Sequence, residues 1–342
     1  MNIIRKFLLR ILFRYIYKSS IIPSDFEKRN NLFGENPEIT IYHSRFLKLY
    51  IYECVTIAHQ RAIYILDDAG GVINLSSSFH LDLIINLPYL FRPRIDVTQI
   101  CAIGRNIPPN NYYHFYMECL LPFLCIRKEF PGILLTFNYH LDIPYKIFLN
   151  LIGINYLDGD TDKKFNKVID LPSISGGILS PSLSYAIEQL NQLQASILKP
   201  PKIYSDKIFI NRKTGLRSLD RDISSMLTRF GFVEYFCEEY SIADQANIFG
   251  RAKYIIGLHG AGLTNIIFNT NPNLFEIIPS DPWGGPDGYG NGCFKNLCES
   301  LNGDYRRIVG SQLLNGEFSI DQNIFELCVI EWLNDSPKNL CI

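Results

Sequence analysis

Residues 254–265 read Tyr-Ile-Ile-Gly-Leu-His-Gly-Ala-Gly-Leu-Thr-Asn. An apolar run leads into His259, Gly260, Ala261 and Gly262, after which Leu263, Thr264 and Asn265 open a helix. Small residues at such a junction let a phosphate approach the backbone. The first turn of a helix adds unpaired N–H groups and a partial positive charge. This pattern suits an anion, foremost the diphosphate of a nucleotide; a tight strand-to-helix turn without a ligand satisfies the same glycines. His259 can donate to a phosphate or a bound sugar, or bond a loop carbonyl. Thr264 and Asn265 are ligand donors or ordinary polar residues of a first turn. Arg212 follows an apolar stretch, at the carboxyl end of a strand, where its planar guanidinium can grip a phosphate with two bonds. Lys213 and Arg217 are second candidates for that task, with a solvated loop as the plainer role. Glu276 lies at the end of another apolar run, placed to accept from ribose hydroxyls or to pair at a sheet edge.

A second group lies in the first half of the chain. His114 and Glu118 are four residues apart, so on a helix both project from one face. A carboxylate beside a histidine can activate a hydroxyl, either one acting as base while the other tunes it. The same spacing also makes an ordinary helix-face hydrogen bond. Asn111 and Tyr113 are candidates for contacts to an acceptor substrate, with a helix cap and core packing as their plainer roles.

These two groups, in this order, resemble glycosyltransferase family 61. Gly257, His259 to Asn265, Phe268, Glu276, Ile277 and Pro279 match that family's glycine, HGAGLTN, Phe and EI-x-P pattern. Residues 111–122, Asn-Tyr-Tyr-His-Phe-Tyr-Met-Glu-Cys-Leu-Leu-Pro, are similar to its Asn-Tyr-aromatic-His segment with a downstream acid and Leu-Pro. The likeness continues through 208–212 and 245–252, and spans 104 to 280. It implies an inverting, metal-independent transferase that moves a sugar from a nucleotide sugar, UDP-linked by preference, to a glycan or lipid-linked glycan. It also implies an α/β fold of the GT-B type, two Rossmann-like domains facing a central crevice. On that footing His114 and Glu118 are catalytic. Asn111, Arg212, Lys213, Arg217, His259, Gly260, Ala261, Gly262, Leu263, Thr264, Asn265 and Glu276 bind substrate, with no cofactor and no metal.

Positioning these residues takes alternating strands and helices. Beyond residue 203 the alternation is regular. It predicts a strand over 207–211, a helix over 220–230 stopped by Gly231, and a strand over 232–236. Ser241-Ile-Ala-Asp244 has the spacing of a capping box and opens a helix reaching 252. A strand over 254–257, a helix over 263–269 and a strand over 274–278 follow. This is a doubly wound unit, whose ligands bind beyond the carboxyl ends of its strands. Earlier in the chain a helix spans 111–129, kinked or split by Pro122. A strand at 133–137, a helix at 144–151, a strand at 168–171 and a helix at 182–198 imply another parallel sheet. Residues 62–73 predict a hairpin around Gly70 and Gly71. Residues 199–202, Lys-Pro-Pro-Lys, form the linker between an acceptor domain, 19–199, and a nucleotide-sugar domain, 203–319. A final helix over 320–333 lies in a segment, 320–342, that can cross back to the first domain. The glycine-dense loop 283–292 is a lid or a connector.

The chain has 342 residues, 47% hydrophobic and 20% charged, enough for two domains with their own cores. A net charge of −1 gives no pull toward nucleic acid. Nine cysteines without a C-x-x-C pair read as free thiols of a reducing compartment. Residues 1–18 carry Arg5, Lys6, Arg10, Arg14 and Lys18 and no acid. They are too interrupted to span a bilayer and lack a cleavage site, and predict a basic amphipathic helix on an anionic membrane surface. A helix packed on the protein's own body is the alternative. The resemblance is to a family whose eukaryotic members usually carry a membrane anchor. Taken with the short chain, the unpaired cysteines and this basic segment, it implies a bacterial member on the inner face of the cytoplasmic membrane, acting in capsule or O-antigen synthesis. Three rivals remain. Asp158-Gly-Asp160-Thr-Asp162 and Asp220-Arg-Asp222 contain D-x-D triplets that could hold a divalent cation, but read as a turn and a helix cap. A Rossmann oxidoreductase is disfavoured, because Asn265 stands where G-x-G-x-x-G needs a small residue. A non-catalytic nucleotide-sugar-binding protein of a glycan assembly complex is the third.

Overall fold

The computed structural model describes residues 39–45, 47–57, 64–67, 72–74, 94–104, 111–137, 140–159, 162–172, 181–195, 204–213, 221–279, 292–312 and 318–335. Residues 1–18, the 199–202 linker, Arg217 and residues 283–291 of the glycine-dense loop lie outside them. The chain divides into two compact units, the first Met1–Ser175 with Pro181–Ile197, the second Gly176–Ser180 with Leu198–Ile342. Both are α/β, the class and two-part organisation expected of the GT-B type.

The first unit is built on a nine-stranded mixed sheet. Strands β1 (Ile39–His43), β2 (Lys48–Ile57), β3 (Tyr64–Asp67) and β4 (Val72–Asn74) form an antiparallel meander. The β3–β4 pair is the expected hairpin, with Ile65 opposite Ile73. Next come β5 (Arg94–Val97), β6 (Cys101–Ile103), β7 (Leu134–Thr136), β8 (Tyr156–Leu157) and β9 (Asp162–Asp170). β9 is antiparallel to β2 and parallel to β5 and β6, and the parallel pairing continues through β7 to β8. Within the β1–β4 meander consecutive strands are antiparallel, β6, β7 and β8 are parallel with α-helices crossing between them, and the antiparallel β2–β9 pair joins the two parts. The meander beyond the hairpin was not foreseen from the sequence.

Helix α1 runs without a break through three pieces, Tyr112–His114, Phe115–Leu120 and Leu121–Ile126. Asn111 caps it, its Oδ1 accepting from Tyr113 N–H and His114 N–H. The middle piece is π-helical, with Leu121 N–H bonding Tyr116 O. Proline has no N–H and its ring presses on the carbonyl four residues back. The wider turn directly before Pro122 absorbs that conflict, so the helix is neither split nor ended there. Phe115, Tyr116, Met117 and every residue from Cys119 to Ile126 are buried. Close packing is secured at Gly104, where any Cβ would run into Cys119 Sγ. Helices α2 (Ile143–Leu151) and α3 (Pro181–Ala195) complete the described part of this unit.

The second unit follows the expected alternation. Strand β10 (Lys207–Asn211), helix α4 (Arg221–Arg229), strand β11 (Val233–Phe236), helix α5 (Ile242–Arg251) and strand β12 (Tyr254–Leu258) come first. A 3-10 helix (Ala261–Phe268), strand β13 (Asn273–Pro279), helix α6 (Cys293–Ser300), strands β14 (Asp304–Gln312) and β15 (Phe318–Ser319) and helix α7 (Gln322–Asp335) follow. Sheet order is β11-β10-β12-β13-β14-β15, parallel except for the last pair. Gly231, at φ 83°, turns the chain out of α4 as expected, since only glycine takes that conformation cheaply. Ser241 caps α5 by accepting from Asp244 N–H. The helix after His259 is 3-10 rather than α-helical. Helix α7 packs within the second unit. Its Phe325, Val329 and Trp332 are fully buried among Phe209, Phe232, Tyr254 and Phe275 of the second. Among the described residues no helix is long and apolar enough to cross a membrane, and Cys101, Cys119, Cys125, Cys237, Cys293, Cys298 and Cys328 are free thiols.

Candidate functional site

In the second unit the sheet order reverses at β10, whose neighbours are β11 on one side and β12 on the other. Loops leaving the carboxyl ends of strands diverge at such a point and leave a crevice. A cleft of about 240 Å³ lies there, lined by Ile210, Asn211, Arg212, Cys237, Glu238, Leu258 and Gly262. Three strands contribute: β10 ends into Arg212, β11 into Cys237 and Glu238, and β12 into the glycine turn. Arg212 is half-buried, and its guanidinium lies so close to Gly260 that a Cβ there would meet Nη2. Gly260 has no side chain because the arginine occupies that space. Gly262 faces Cys237 Sγ with more room, since a Cβ there would sit in ordinary contact at 3.4 Å.

The 3-10 helix opens at Ala261 with no side-chain cap. Leu263 N–H already bonds Gly260 O. The N–H groups of Ala261 and Gly262 have no intrahelical acceptor, so they are the donors this turn can offer an anion. Asn211 Oδ1 accepts from Arg212 N–H at 2.8 Å, and its amide donates to Glu234 Oε1 at 2.6 Å. The backbone carrying Arg212 is therefore fixed. Burial first, and then the Glu238 carboxylate, push the Cys237 thiol up to about 12, so it stays protonated.

Several candidates from the sequence prove to be internal supports. Asn265 is fully buried; its amide donates to Gln245 Oε1 at 2.8 Å and to Gly262 O at 3.0 Å. Gln245 is not a surface residue as its helix position suggested. It is buried and donates to Cys237 O and Tyr240 O. This clamp ties the glycine turn to the β11 loop across the cleft floor. Leu263 and Thr264 are fully buried too, so neither side chain is a ligand contact; Thr264 Oγ1 has no partner among the described residues. Lys213 ion-pairs with Glu239 and lies 5.5 Å from the Phe236 ring. That pairing turns it to the outer edge of the loop, away from the cleft lining.

Glu276 also differs from expectation. It is fully buried on β13 and both carboxylate oxygens are engaged. Oε1 lies 2.6 Å from His259 Nδ1, and Oε2 accepts from Tyr305 Oη at 2.6 Å. It lies outside the cleft lining and is bonded to His259 and Tyr305. His259 continues the β12 ladder by donating its N–H to Ile277 O, and its ring meets the Phe294 edge at 5.3 Å between centroids.

In the first unit His114 Nδ1 and Glu118 Oε1 are 2.9 Å apart, with side chains 29% and 14% exposed. The ring nitrogen sits close enough for an ion pair without meeting hydrogen-bond geometry. The expected pairing on one helix face is present, with His114 at the end of the first piece of α1 and Glu118 in its π-helical part. Asn111 is consumed by the cap. Asp158, a member of the D-x-D run, accepts from Leu141 N–H and Gly159 N–H at 2.9 Å each and pairs with Lys146. Among the described residues no three His, Cys, Asp or Glu side chains gather as a metal site. Sequence reasoning missed Glu238, Cys237 and Tyr305. Glu238 could have been found, since it follows a strand end beside Arg212's strand; Tyr305 is placed only by the β13–β14 register.

Residues 112–274 match the family Glycosyltransferase 61. Two curated rice proteins (Oryza sativa subsp. japonica) are similar over 134 residues each. Alpha-1,3-arabinosyltransferase XAT2 is 29% identical, across 36% of this chain and 22% of that protein. Alpha-1,3-arabinosyltransferase XAT3 is 31% identical, across 37% and 23%. The match thus spans under a quarter of either relative. Among solved structures, the dodecameric iron-containing heptosyltransferase TibC in complex with ADP-D-beta-D-heptose is 9% identical, covering 72% of this chain and 77% of that one at a TM-score of 0.35. A glycosyl transferase family 9 protein from Veillonella parvula is 10% identical, covering 71% and 99% at 0.35. The matched stretch holds both residue groups, the His114–Glu118 pair and the Arg212–Gly260 cleft, and over residues 112–274 the chain matches glycosyltransferase family 61.

Proposed function

We propose that the protein is an inverting glycosyltransferase using a nucleotide sugar, UDP-linked by preference, without a metal. The observation that carries this is Arg212 seated on Gly260 in the switch-point cleft beside the open turn at Ala261. An arginine and two backbone N–H groups converging on one small cleft suit a diphosphate. They also supply the positive charge that a leaving diphosphate needs as it forms. Glu238, the carboxylate lining the same cleft, takes the ribose hydroxyls in place of Glu276. In the transfer the acceptor hydroxyl gives its proton to the His114–Glu118 pair as its oxygen bonds the anomeric carbon. The bond from that carbon to the diphosphate oxygen breaks, and the nucleoside diphosphate leaves with both electrons. The acceptor is a glycan or lipid-linked glycan of a surface polysaccharide such as capsule or O-antigen. Residues 1–18 hold the enzyme on the inner face of the cytoplasmic membrane by their basic, apolar composition.

The test is thermal stability against UDP, GDP, CMP and their sugar conjugates, a pentose conjugate included, each with and without EDTA. Saturation at 100 times Kd adds about 2.7 kcal/mol. The expected result is a shift with one nucleotide family, unchanged by EDTA and lost in Arg212→Ala. No shift with any nucleotide overturns the donor reading, and a shift that needs metal overturns the metal-independent one. Removing residues 1–18 moves the protein from the membrane to the soluble fraction on this proposal; unchanged fractionation overturns the membrane role.

A further inference from the structure

His259, Glu276 and Tyr305 lie on one face of the second unit's sheet, across three neighbouring strands. Gly257 of β12 is aligned with Glu276 of β13, while Leu274 and Glu276 are aligned with Tyr305 and Arg307 of β14. His259 extends the β12 line by its bond to Ile277 O. Side chains alternate along a strand, so residues 257 and 259, 274 and 276, and 305 share a side. Tyr305 is then the diagonal neighbour of Glu276.

A carboxylate is costly to bury and persists only when paired and hydrogen-bonded. Glu276 meets that condition through its two bonds of 2.6 Å. The Tyr305 phenol is pushed far up, by burial first and then by the Glu276 charge, so it stays a donor. An ionised carboxylate only accepts, which puts the imidazole proton on Nδ1. In the neutral imidazole Nε2 is then the nitrogen left with a lone pair. The His259 side chain is 13% exposed, and the next residue, Gly260, is the one that seats Arg212.

We propose that Tyr305 and Glu276 are positioning residues: Tyr305 fixes Glu276, and Glu276 holds His259 as the Nδ1–H tautomer, so that Nε2 accepts a hydroxyl of the donor sugar. This rests on the donor-cleft reading for the sugar contact, but the tautomer is a property of the unliganded protein. A neutral imidazole presenting a lone pair fits a hydroxyl and not a phosphate oxygen. It thus divides the donor between Arg212, which takes the diphosphate, and His259, which takes the sugar.

Glu276→Gln separates these roles. An amide has a single acceptor oxygen, and Tyr305 claims it. The NH2 group then faces His259 Nδ1 and flips the ring to the Nε2–H tautomer. Two-bond nitrogen–proton NMR of histidine, assigned with His259→Ala, reads this directly. The expected spectra are Nδ1–H in the wild-type protein, Nε2–H in Glu276→Gln, and a return to Nδ1–H in Glu276→Gln/Tyr305→Phe, where the amide oxygen is free again. Calorimetry with UDP, UDP-glucose, UDP-galactose and UDP-xylose is the second readout. Glu276→Gln weakens the best conjugate about tenfold and leaves UDP within about twofold. Should Glu276→Gln not fold, the wild-type tautomer still decides the proton's position, and Tyr305→Phe, expected to loosen the conjugate but not UDP, decides the relay. An Nε2–H wild-type ring, an unmoved tautomer in Glu276→Gln, or equal losses for UDP and its conjugates overturns the inference. If the wild-type protein binds neither UDP nor any conjugate, the donor-cleft reading fails while the tautomer result still stands or falls alone.

Discussion

Gly260 is the position at which one added methyl group separates binding from folding. A Cβ there collides with Nη2 at the far end of the Arg212 side chain, not with backbone, so the arginine swings aside at little cost to the fold. Gly260→Ala is therefore expected to lose nucleotide binding nearly as fully as Arg212→Ala while keeping its thermal midpoint. For Arg212→Ala the loss is that of hydrogen bonds to a charged group, about 1.5–3 kcal/mol, or at least tenfold in Kd by calorimetry. Arg212→Lys recovers only part, because an ammonium cannot make the paired contact. Gly257 behaves oppositely. Its Cβ would lie 2.6 Å from Leu263 Cδ2 and 3.3 Å from Ile210 Cβ, inside the packed core. Gly257→Ala is expected to cost about 1–3 kcal/mol of stability in denaturant unfolding, as overpacking does.

At the scale of elements, the site depends on how each piece is closed off. The 3-10 helix presents its first N–H groups because Asn265 and Gln245 lock it to the β11 loop. Asn265→Ala leaves Gln245 Oε1 buried without that donor, a loss of about 1–3 kcal/mol. It is expected to lower both stability and nucleotide affinity, where Gly260→Ala lowers affinity alone; the two variants compared by melting and calorimetry test this. The strands and helices of the second unit were legible because each signal is local: apolar runs such as residues 254–258, the Ser241 cap, and Gly231 past the end of α4. The α-versus-3-10 nature of the helix after Gly260 was not, since composition is the same for both. Nor was the role of Glu276, whose partners come from two other strands through a register the sequence does not display. In the first unit the helix around His114 was legible from its spacing and its Asn111 cap. The β1–β4 meander was mostly not, because its pairing with β9 joins segments far apart in the chain.

Across the whole molecule, the two units carry different kinds of ionic dependence. In the first, Asp158 holds the α2 entry and the turn after β8 through Lys146 and the amides of Leu141 and Gly159. Burial alone would raise its carboxyl, but those partners outweigh it and hold it below the usual carboxylate range. A depressed folded value means the unfolded state takes up the proton first. The stabilisation is complete above the unfolded value of about 3.9 and is lost as pH falls through the folded one. In the second unit, Trp332, Phe325 and Val329 of α7 close the core under the sheet that carries the cleft. Trp332→Ala removes a fully buried indole and is expected to cost about 3–5 kcal/mol. Unfolding of a chain with two cores need not be a single transition. Differential calorimetry is expected to show the part raised by nucleotide falling in Trp332→Ala and standing unchanged in Asp158→Asn. The part weakened as pH falls below about 3.9 should lose that acid sensitivity in Asp158→Asn and ignore nucleotide. A single transition that answers to both variants and to the ligand alike would mean that the two cores unfold as one, and that the acid-sensitive tie in the first unit and the nucleotide cleft in the second stabilise the same cooperative structure.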